Sequence, residues 1–469
     1  MSTTTVASTQ LNKPASHYEL QSGPNSKRPT PYRSPIHSSS QSVRSIREQD
    51  QDSAIDGPGL PPPSTAVEQL ERWNNPPENQ YGVAATYYAF FVFGLNDASY
   101  GALIPYLERY YNLTYTVVSL IFLSPFLGYT VAALCNSPIH MRFGQRGIAV
   151  LAPSCRMLCY LVISFHPPYP VLVVMFIFAG FGGGLEDSAW CAWTGNMVSA
   201  NKVQGLMQAC YSLGATLSPL IATSMFTKYG LPWYSWLYVL TAAAGLDLIV
   251  CSWAFWHKDG ARYRADNPRT TSEGSGRTKE AMKHKVTWLC AGYFFCYVGA
   301  EVALGGWIVT FMNKIRDASA YDSGIAATGF WAGMTVGRAG LGFVTEKFGE
   351  RICVMIYLGL SIGLELTFWL VPQFVVGAVA VALLGMFLGP LFPAGIVICA
   401  KLLPTHLHVS AIGFATAIGG TGAAILPFAV GAAAEARGVK IFNVFIISLI
   451  GATTVIWLLL PRIKKTREV

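Results

Sequence analysis

The chain has 469 residues and a formal net charge of +8, and is 52% hydrophobic but only 12% charged; its mean hydropathy is +0.39. Soluble domains carry about twice that share of charge, so a soluble enzyme and a nucleic-acid-binding protein are excluded as classes. The composition is that of a polytopic membrane protein with the lipid bilayer as its solvent.

Residues 1–80 are rich in Ser, Pro, Gln and Thr, as in Ser38-Ser39-Ser40 and Pro61-Pro62-Pro63, and hold no sustained hydrophobic period. They lack the basic-then-apolar layout of a cleaved signal peptide. They cannot bury enough apolar surface to fold, which predicts a disordered tail. Ser34-Pro35 is a candidate phosphorylation site, with a solvated tail free of any switch as the plainer reading. From Tyr81 onward, apolar runs alternate with short polar joints, and a membrane span takes about 20 apolar residues. Six runs lie near 82–106, 115–136, 147–166, 170–197, 205–227 and 234–257. Six more lie near 284–311, 321–344, 351–371, 374–400, 407–434 and 439–461. The longest internal polar stretch, Lys258–Lys285, divides the two sets. The expected organisation is a tail (1–80), a six-helix bundle (81–257), a central loop (258–283), a second six-helix bundle (284–461) and a short tail (462–469). All ten cysteines fall in or beside apolar runs, with Cys155-x-x-x-Cys159 the closest pair. No second pair stands at zinc-like spacing, so they read as packing residues and no cofactor or metal is expected.

Charge sets the orientation. With the N-terminal tail cytosolic, the joints on its side and the C-terminal tail carry 18 Lys and Arg, against 6 on the other side. The positive-inside rule then places both termini in the cytosol of a multi-pass protein, in the plasma membrane or, alternatively, an internal one. The sequon Asn112-Leu-Thr114 falls on the outer side, close to the membrane.

The two sets echo one another. Ser137-Pro-Ile-His-Met-Arg-Phe-Gly-Gln-Arg146 follows the second run, and Gly342-Phe-Val-Thr-Glu-Lys-Phe-Gly-Glu-Arg351 follows the eighth, 205 residues on. Gly214-x-x-x-x-Pro219 in run five matches Gly422-x-x-x-x-Pro427 in run eleven at an offset of 208, and Asp97 matches Glu301 at 204. Three matches at nearly constant offset indicate a duplicated six-helix unit, an arrangement that binds substrate at the midplane between its halves.

The decapeptide Gly342–Arg351 resembles the loop signature of the major facilitator superfamily: Gly, three variable residues, an acid, a base, one variable residue, Gly, and a base two further on. The resemblance implies an all-α membrane protein of twelve transmembrane helices in two pseudo-symmetric six-helix bundles, the major facilitator fold. It also implies a cytosolic gate of ion pairs that hold in one state and break in another. Glu346, Lys347 and Arg351 supply its charges, with Arg338 one or two turns earlier. The first copy has Ser137 for the glycine and Met141 for the acid, and keeps Arg142, Gly144 and Arg146. Four further segments resemble the fucose:proton symporter branch, in a fungal subgroup. They are Gly94-Leu-Asn-Asp-Ala-Ser-Tyr-Gly-Ala-Leu-Ile-Pro105, Phe181-Gly-Gly-Gly-Leu-Glu186-Asp-Ser-Ala, Tyr297-Val-Gly-Ala-Glu301 through Trp307, and Gly389-Pro-Leu-Phe-Pro393. This likeness implies that Asp97 and Glu186 match that branch's proton-linked and substrate-linked carboxylates.

The residues support such a role independently. A charged side chain at bilayer depth is expensive, about 2.5–3.5 kcal/mol on insertion scales, and is kept where it faces a bundle interior or a cavity. Low dielectric favours the neutral form of a carboxyl group, which suits it to bind and release a proton. Asp97, Glu186 and Glu301 are therefore the candidate proton- and substrate-coupling acids. A static inward hydrogen bond is the alternative for Asp97 and Glu186, and an interhelix contact for Glu301. Asn96, Asp187, Arg156, Trp190 and Trp307 are candidates for the substrate cavity. Gly182-Gly183-Gly184 lets a neighbouring helix approach Glu186. Arg156, a base well inside an apolar run, needs a carboxylate partner, with Glu186 or Asp187 on the next helix as candidates. Asp247 and Glu365 read as structural acids of peripheral helices, and many Trp and Tyr as an interface belt.

The leading expectation is a monomeric secondary active transporter, not an enzyme, moving a small polar, sugar-like solute with protons by alternating access. One alternative is efflux or intracellular transport of a secondary metabolite. Another is a non-transporting sensor on the same fold.

Overall fold

The computed structural model describes residues 71–195, 197–198, 200–266, 280–404 and 407–461. The expected tails lie largely outside the described residues, as does half of the central loop, residues 267–279. Residues 71–77 precede the first helix as a short irregular segment whose end is held: Val198 N donates to Glu71 O at 2.9 Å, and Asn79 Nδ2 donates to Glu71 Oε2 at 2.9 Å. The helical body thus begins at Glu78, before the boundary set from composition.

Among the described residues the chain is helical, with one isolated bridge, Arg72 to Asn75. Helices are the expected solution, since in lipid every backbone N–H and C=O must be satisfied within the segment. The first half holds α1 (Glu78–Tyr111), the short α2 (Tyr115–Val118), α3 (Leu120–Ser164), α4 (Tyr169–Gly195), α5 (Ala200–Thr227), α6 (Ser235–Phe255) and the short α7 (Gly260–Asp266). The second half holds α8 (Lys285–Ile315), α9 (Ala320–Val336), a π-helical turn (Gly337–Leu341), α10 (Gly342–Phe348), α11 (Glu350–Leu370), α12 (Phe374–Leu388), α13 (Leu391–Leu402), α14 (His408–Arg437) and α15 (Ile441–Leu459). Eight segments are long and apolar enough to cross a membrane. One of them, Tyr115–Ser164, is 50 residues long and reverses within α3 at Gly144 (φ 70°, ψ −163°), a conformation open to a residue without Cβ. Its two limbs are each of spanning length, and α1, α5 and the α9–α10 rod are also of spanning length but less apolar.

Glycine sets the spacing of the helices, and the spacing repeats. A Cβ on Gly94 of α1 would fall 1.9 Å from Tyr211 O of α5, and one on Gly214 of α5 would fall 2.1 Å from Phe91 O. The counterparts about 205 residues on behave alike: Gly422 of α14 lies against Phe295 O of α8 at 2.2 Å, and Gly299 of α8 against Gly422 O at 3.0 Å. The pair Gly128 and Gly180, which closes α3 on α4, is repeated by Gly333 and Gly385, which close α9 on α12. Bare backbone at these sites lets two helices touch closely, and the matching register is structural support for a duplicated unit.

Pro219 and Pro427 sit inside α5 and α14 at equivalent places. Asn112 ends α1 in the left-handed conformation (φ 53°). Chain direction puts residues 111–115, 228–235, 315–321 and 435–441 at the end of the bundle away from the described termini, called the distal end below. There the two halves are tied together. Tyr115 N donates to Glu435 Oε2 at 2.7 Å, Lys314 pairs with Glu108 at 3.4 Å, and Lys228 Nζ lies 4.3 Å from the centre of the Tyr321 ring. On the bundle axis, Gly101 of α1 meets Gly305 of α8, backbone to backbone. The distal end is closed.

Candidate functional site

Two charge clusters lie near mid-bundle, and the glycine contacts position both. The first spans the two halves. Because Gly94 and Gly214 bring α1 onto α5, Asp97, one turn along α1, reaches Tyr211. The Tyr211 hydroxyl donates to Asp97 Oδ2 at 3.0 Å, and Asn96 Nδ2 donates to Asp97 Oδ1 at 3.0 Å and to the Tyr100 hydroxyl at 2.9 Å. Both of these donors to Asp97 are neutral. The Tyr211 ring lies 6.0 Å below the Arg338 guanidinium. Arg338 Nη2 pairs with Glu301 Oε1 at 2.7 Å, while its Nη1 donates to Ser212 Oγ of the other half, also at 2.7 Å. The Tyr297 hydroxyl donates to Glu301 Oε2 at 2.6 Å. A polar chain thus runs from Asn96 through Asp97, Tyr211, Arg338 and Glu301 to Tyr297, crossing from one half to the other. Arg338 enters it from the π-turn, a local register change of the kind frequent at functional sites.

The second cluster lies inside the first half. A Cβ on Gly182 of α4 would fall 2.4 Å from Ala152 O and 3.1 Å from Arg156 Cγ of α3. That approach places Glu186, one turn further on, against Arg156. Arg156 Nη2 donates to Glu186 Oε2 and, at 2.5 Å, to Asp247 Oδ2 of α6. All three side chains are buried. Of the two candidate partners for Arg156, the structure pairs it with Glu186. Asp187 points elsewhere, accepting from Cys191 Sγ at 3.6 Å. Asp247, read from the sequence as a peripheral acid, is instead the third member of this cluster, because α6 turns it inward. Glu365 is buried, and neither of its oxygens has a hydrogen-bond partner among the described residues.

The two tryptophans do not sit as cavity walls. Trp190 is fully buried and stacks on Phe255 of α6 at 4.3 Å. Trp307 is fully buried and donates from Nε1 to Pro427 O at 3.0 Å. Both stand near an acid in sequence, but both fill helix–helix contacts. The described gate residues make the following contacts. Arg351 donates to Pro461 O at 2.8 Å, at the end of α15, where a cation suits the helix C-terminus. Arg146 stacks on Trp256 at 4.4 Å, Arg142 lies over Phe143 at 5.3 Å, and Lys347 over Phe348 at 5.6 Å. The side chain of Glu346 lies outside the described residues. An ion pair nearby is Lys401 with Glu350 at 2.6 Å.

Tyr211, Ser212, Tyr297, Arg338 and Asp247 belong to the clusters and were not among the site candidates read from the sequence. Arg338 gave a signal: like Arg156, it is a base inside an apolar run. The others are common residue types whose role depends on helix rotation. The described His, Cys, Asp and Glu side chains form no group of three able to hold a metal.

A profile of the Major Facilitator Superfamily matches residues 86–325 and 289–469. Over 417 residues the chain is 30% identical to bypass of stop codon protein 6 of Saccharomyces cerevisiae, covering 82% of this chain and 83% of that one. It is 22% identical over 354 residues to the glucose/mannose transporter GlcP of Bacillus subtilis, covering 74% and 86%. The fucose:proton symporter of E. coli shares the fold, with a TM-score of 0.57 at 14% identity over 81% of this chain and 98% of that one. With helical halves that match one another and charge clusters at mid-bundle, this multi-pass membrane protein is a transporter and belongs to the major facilitator superfamily.

Proposed function

We propose that the chain is a secondary active transporter that moves a small hydroxyl-rich, sugar-like solute together with protons by alternating access. The observation that carries this reading is the polar chain between the halves, in which Asp97 meets neutral donors while Glu301 is neutralised by Arg338. An acid at membrane depth that accepts only from neutral donors favours a bound proton. The amide and phenol that meet it (Asn96, Tyr211), and the Ser212 hydroxyl beside Arg338, are donors and acceptors that suit sugar hydroxyls. The glucose/mannose relative supports the solute class, and the fucose:proton symporter supports the coupling. With both termini cytosolic, the end tied by Tyr115–Glu435 and Lys314–Glu108 is the outer one. The chain works as a monomer in the plasma membrane.

The test is uptake of radiolabelled D-glucose and L-fucose into vesicles holding the purified protein, with and without an imposed pH gradient. Accumulation above equilibrium that disappears with a protonophore is expected, as is its loss in Asp97→Asn with counterflow retained. Accumulation insensitive to the protonophore would remove the proton from the mechanism. Uptake of no solute in a broad panel would favour a sensor.

A further inference from the structure

The cluster inside the first half has one acid too many. Glu186 and Asp247 both accept from the same nitrogen, Arg156 Nη2, with side chains 3%, 0% and 1% exposed for Glu186, Asp247 and Arg156. Three further polar atoms of the cluster, Arg156 Nε and Nη1 and Glu186 Oε1, have no hydrogen-bond partner among the described residues. The titratable groups facing it from each neighbouring helix are neutral or acidic. Cys251 Sγ of α6 donates to Asp247 Oδ1 at 3.3 Å. Tyr88 of α1 lies within the field of Asp247 and Arg156. Tyr160 of α3, fully buried with no partner for its hydroxyl among the described residues, lies within the fields of Arg156, Glu186 and Asp97, and Asp97 of α1 and Tyr129 of α3 lie within that of Arg156. Arg156 is the one cation named among these groups.

With both acids ionised the cluster would carry one uncompensated negative charge, and its two carboxylate oxygens would crowd a single donor atom. An uncompensated buried charge costs several kcal/mol, and two carboxylates sharing a site cannot both ionise readily. One proton removes both penalties and leaves a neutral cluster of one guanidinium, one carboxylate and one carboxylic acid. We infer that Glu186 and Asp247 share a single bound proton across Arg156, and that this cluster is a proton-binding site of the transport cycle separate from Asp97. The inference rests on the proton-coupled reading above and adds Asp247 to it. In the step itself, the O–H bond of the carboxylic acid breaks. The proton passes to a water molecule admitted beside Glu186 Oε1, and the electron pair stays on the carboxylate. Reprotonation from the other side reverses the step, and nothing is oxidised or reduced.

The site can be tested without any solute. Infrared spectra of the full chain in lipid nanodiscs at neutral pH report protonated carboxyl groups through their carbonyl stretch. Removing either acid leaves one carboxylate for one guanidinium, which needs no proton. Asp247→Asn and Glu186→Gln are each expected to lose the signal of one protonated carboxyl per chain, and Asp247→Glu to keep it. If one neutral variant fails to fold, the other decides. An unchanged carbonyl signal in a folded variant would show that both acids are ionised and would overturn the inference. In vesicles with D-glucose as probe, Asp247→Asn is expected to lose accumulation driven by the pH gradient and to keep counterflow. Normal accumulation in that variant would reduce the proton to a static one and overturn its place in the cycle. Absence of D-glucose transport by the parent chain defeats the solute assignment instead, and the infrared result then decides the site.

Discussion

Removing either partner of the Arg338–Glu301 pair should cost more than removing both. The two side chains meet at 2.7 Å and are 11% and 7% exposed. Unit charges at that distance attract by about 6 kcal/mol at an effective dielectric of about 20. Desolvation offsets most of that attraction, so the intact pair adds little net stability, whereas stranding one buried charge costs about 3–5 kcal/mol. Arg338→Gln leaves Glu301 with the Tyr297 hydroxyl; Glu301→Gln leaves Arg338 with Ser212. Each residual hydrogen bond returns about 1 kcal/mol, so each single variant should lose about 2–4 kcal/mol. The double variant places two amides where the ions were and strands no charge, so it should lose less than either single variant and far less than the two losses summed. The measurement is an SDS titration of the four proteins in detergent micelles, analysed as a double-mutant cycle. Losses that add to within about 0.5 kcal/mol would show that neither charge depends on the other and would refute the reasoning.

Two other expectations follow from the geometry. Gly94→Ala drives a Cβ to 1.9 Å from Tyr211 O, and Gly422→Ala drives one to 2.2 Å from Phe295 O. Backbone must yield in both cases, so each should lose about 1–3 kcal/mol, read as a lower thermal midpoint, whereas Gly413→Ala, whose Cβ meets open space, should not. At the distal end, Glu435→Gln combined with Lys314→Gln weakens the Tyr115 hydrogen bond and the Glu108 ion pair. The Lys314–Glu108 pair is partly exposed and worth less than about 1 kcal/mol, so the fold should hold while the distal opening becomes more populated. A cysteine placed at Ala320, which lines a small distal cavity, should then react faster with a membrane-impermeant maleimide; an unchanged rate would show that these contacts do not hold that end closed.

The multi-span helical character and the duplication were legible because both are written along the chain. An apolar run must be helical in lipid, and the glycine contacts recur in three dimensions at the 205-residue offset seen in the loop motif. Helix rotation was not legible. A helix that is apolar all round has no polar stripe to show which face turns inward, and α6 is of this kind. Asp247 could therefore be read as peripheral until α6 was seen to aim it at Arg156. Trp190 follows Glu186 by four residues and shares its face. That face meets α6, where Phe255 covers the indole. Arg338 was hidden by its neighbourhood: the motif beginning at Gly342 drew its charge toward the loop, whereas the π-turn directs it to Glu301.

The two clusters differ in what can break them. Arg156, Glu186 and Asp247 all belong to one half, on α3, α4 and α6, and α3 and α4 are packed backbone to backbone at Gly128 and Gly180. A rigid rotation of one half against the other leaves those distances unchanged. Arg338 is held by Glu301 in its own half but by Ser212 in the other, and Tyr115 is held by Glu435 across the same divide. The same rotation must break or rebuild both of those contacts. The cluster between the halves can therefore report which side is open, while the one inside the first half changes only when a proton or water reaches it. A transporter that couples a gradient to movement needs both kinds of response, because a ligand shifts a two-state equilibrium only by its differential affinity for the two states.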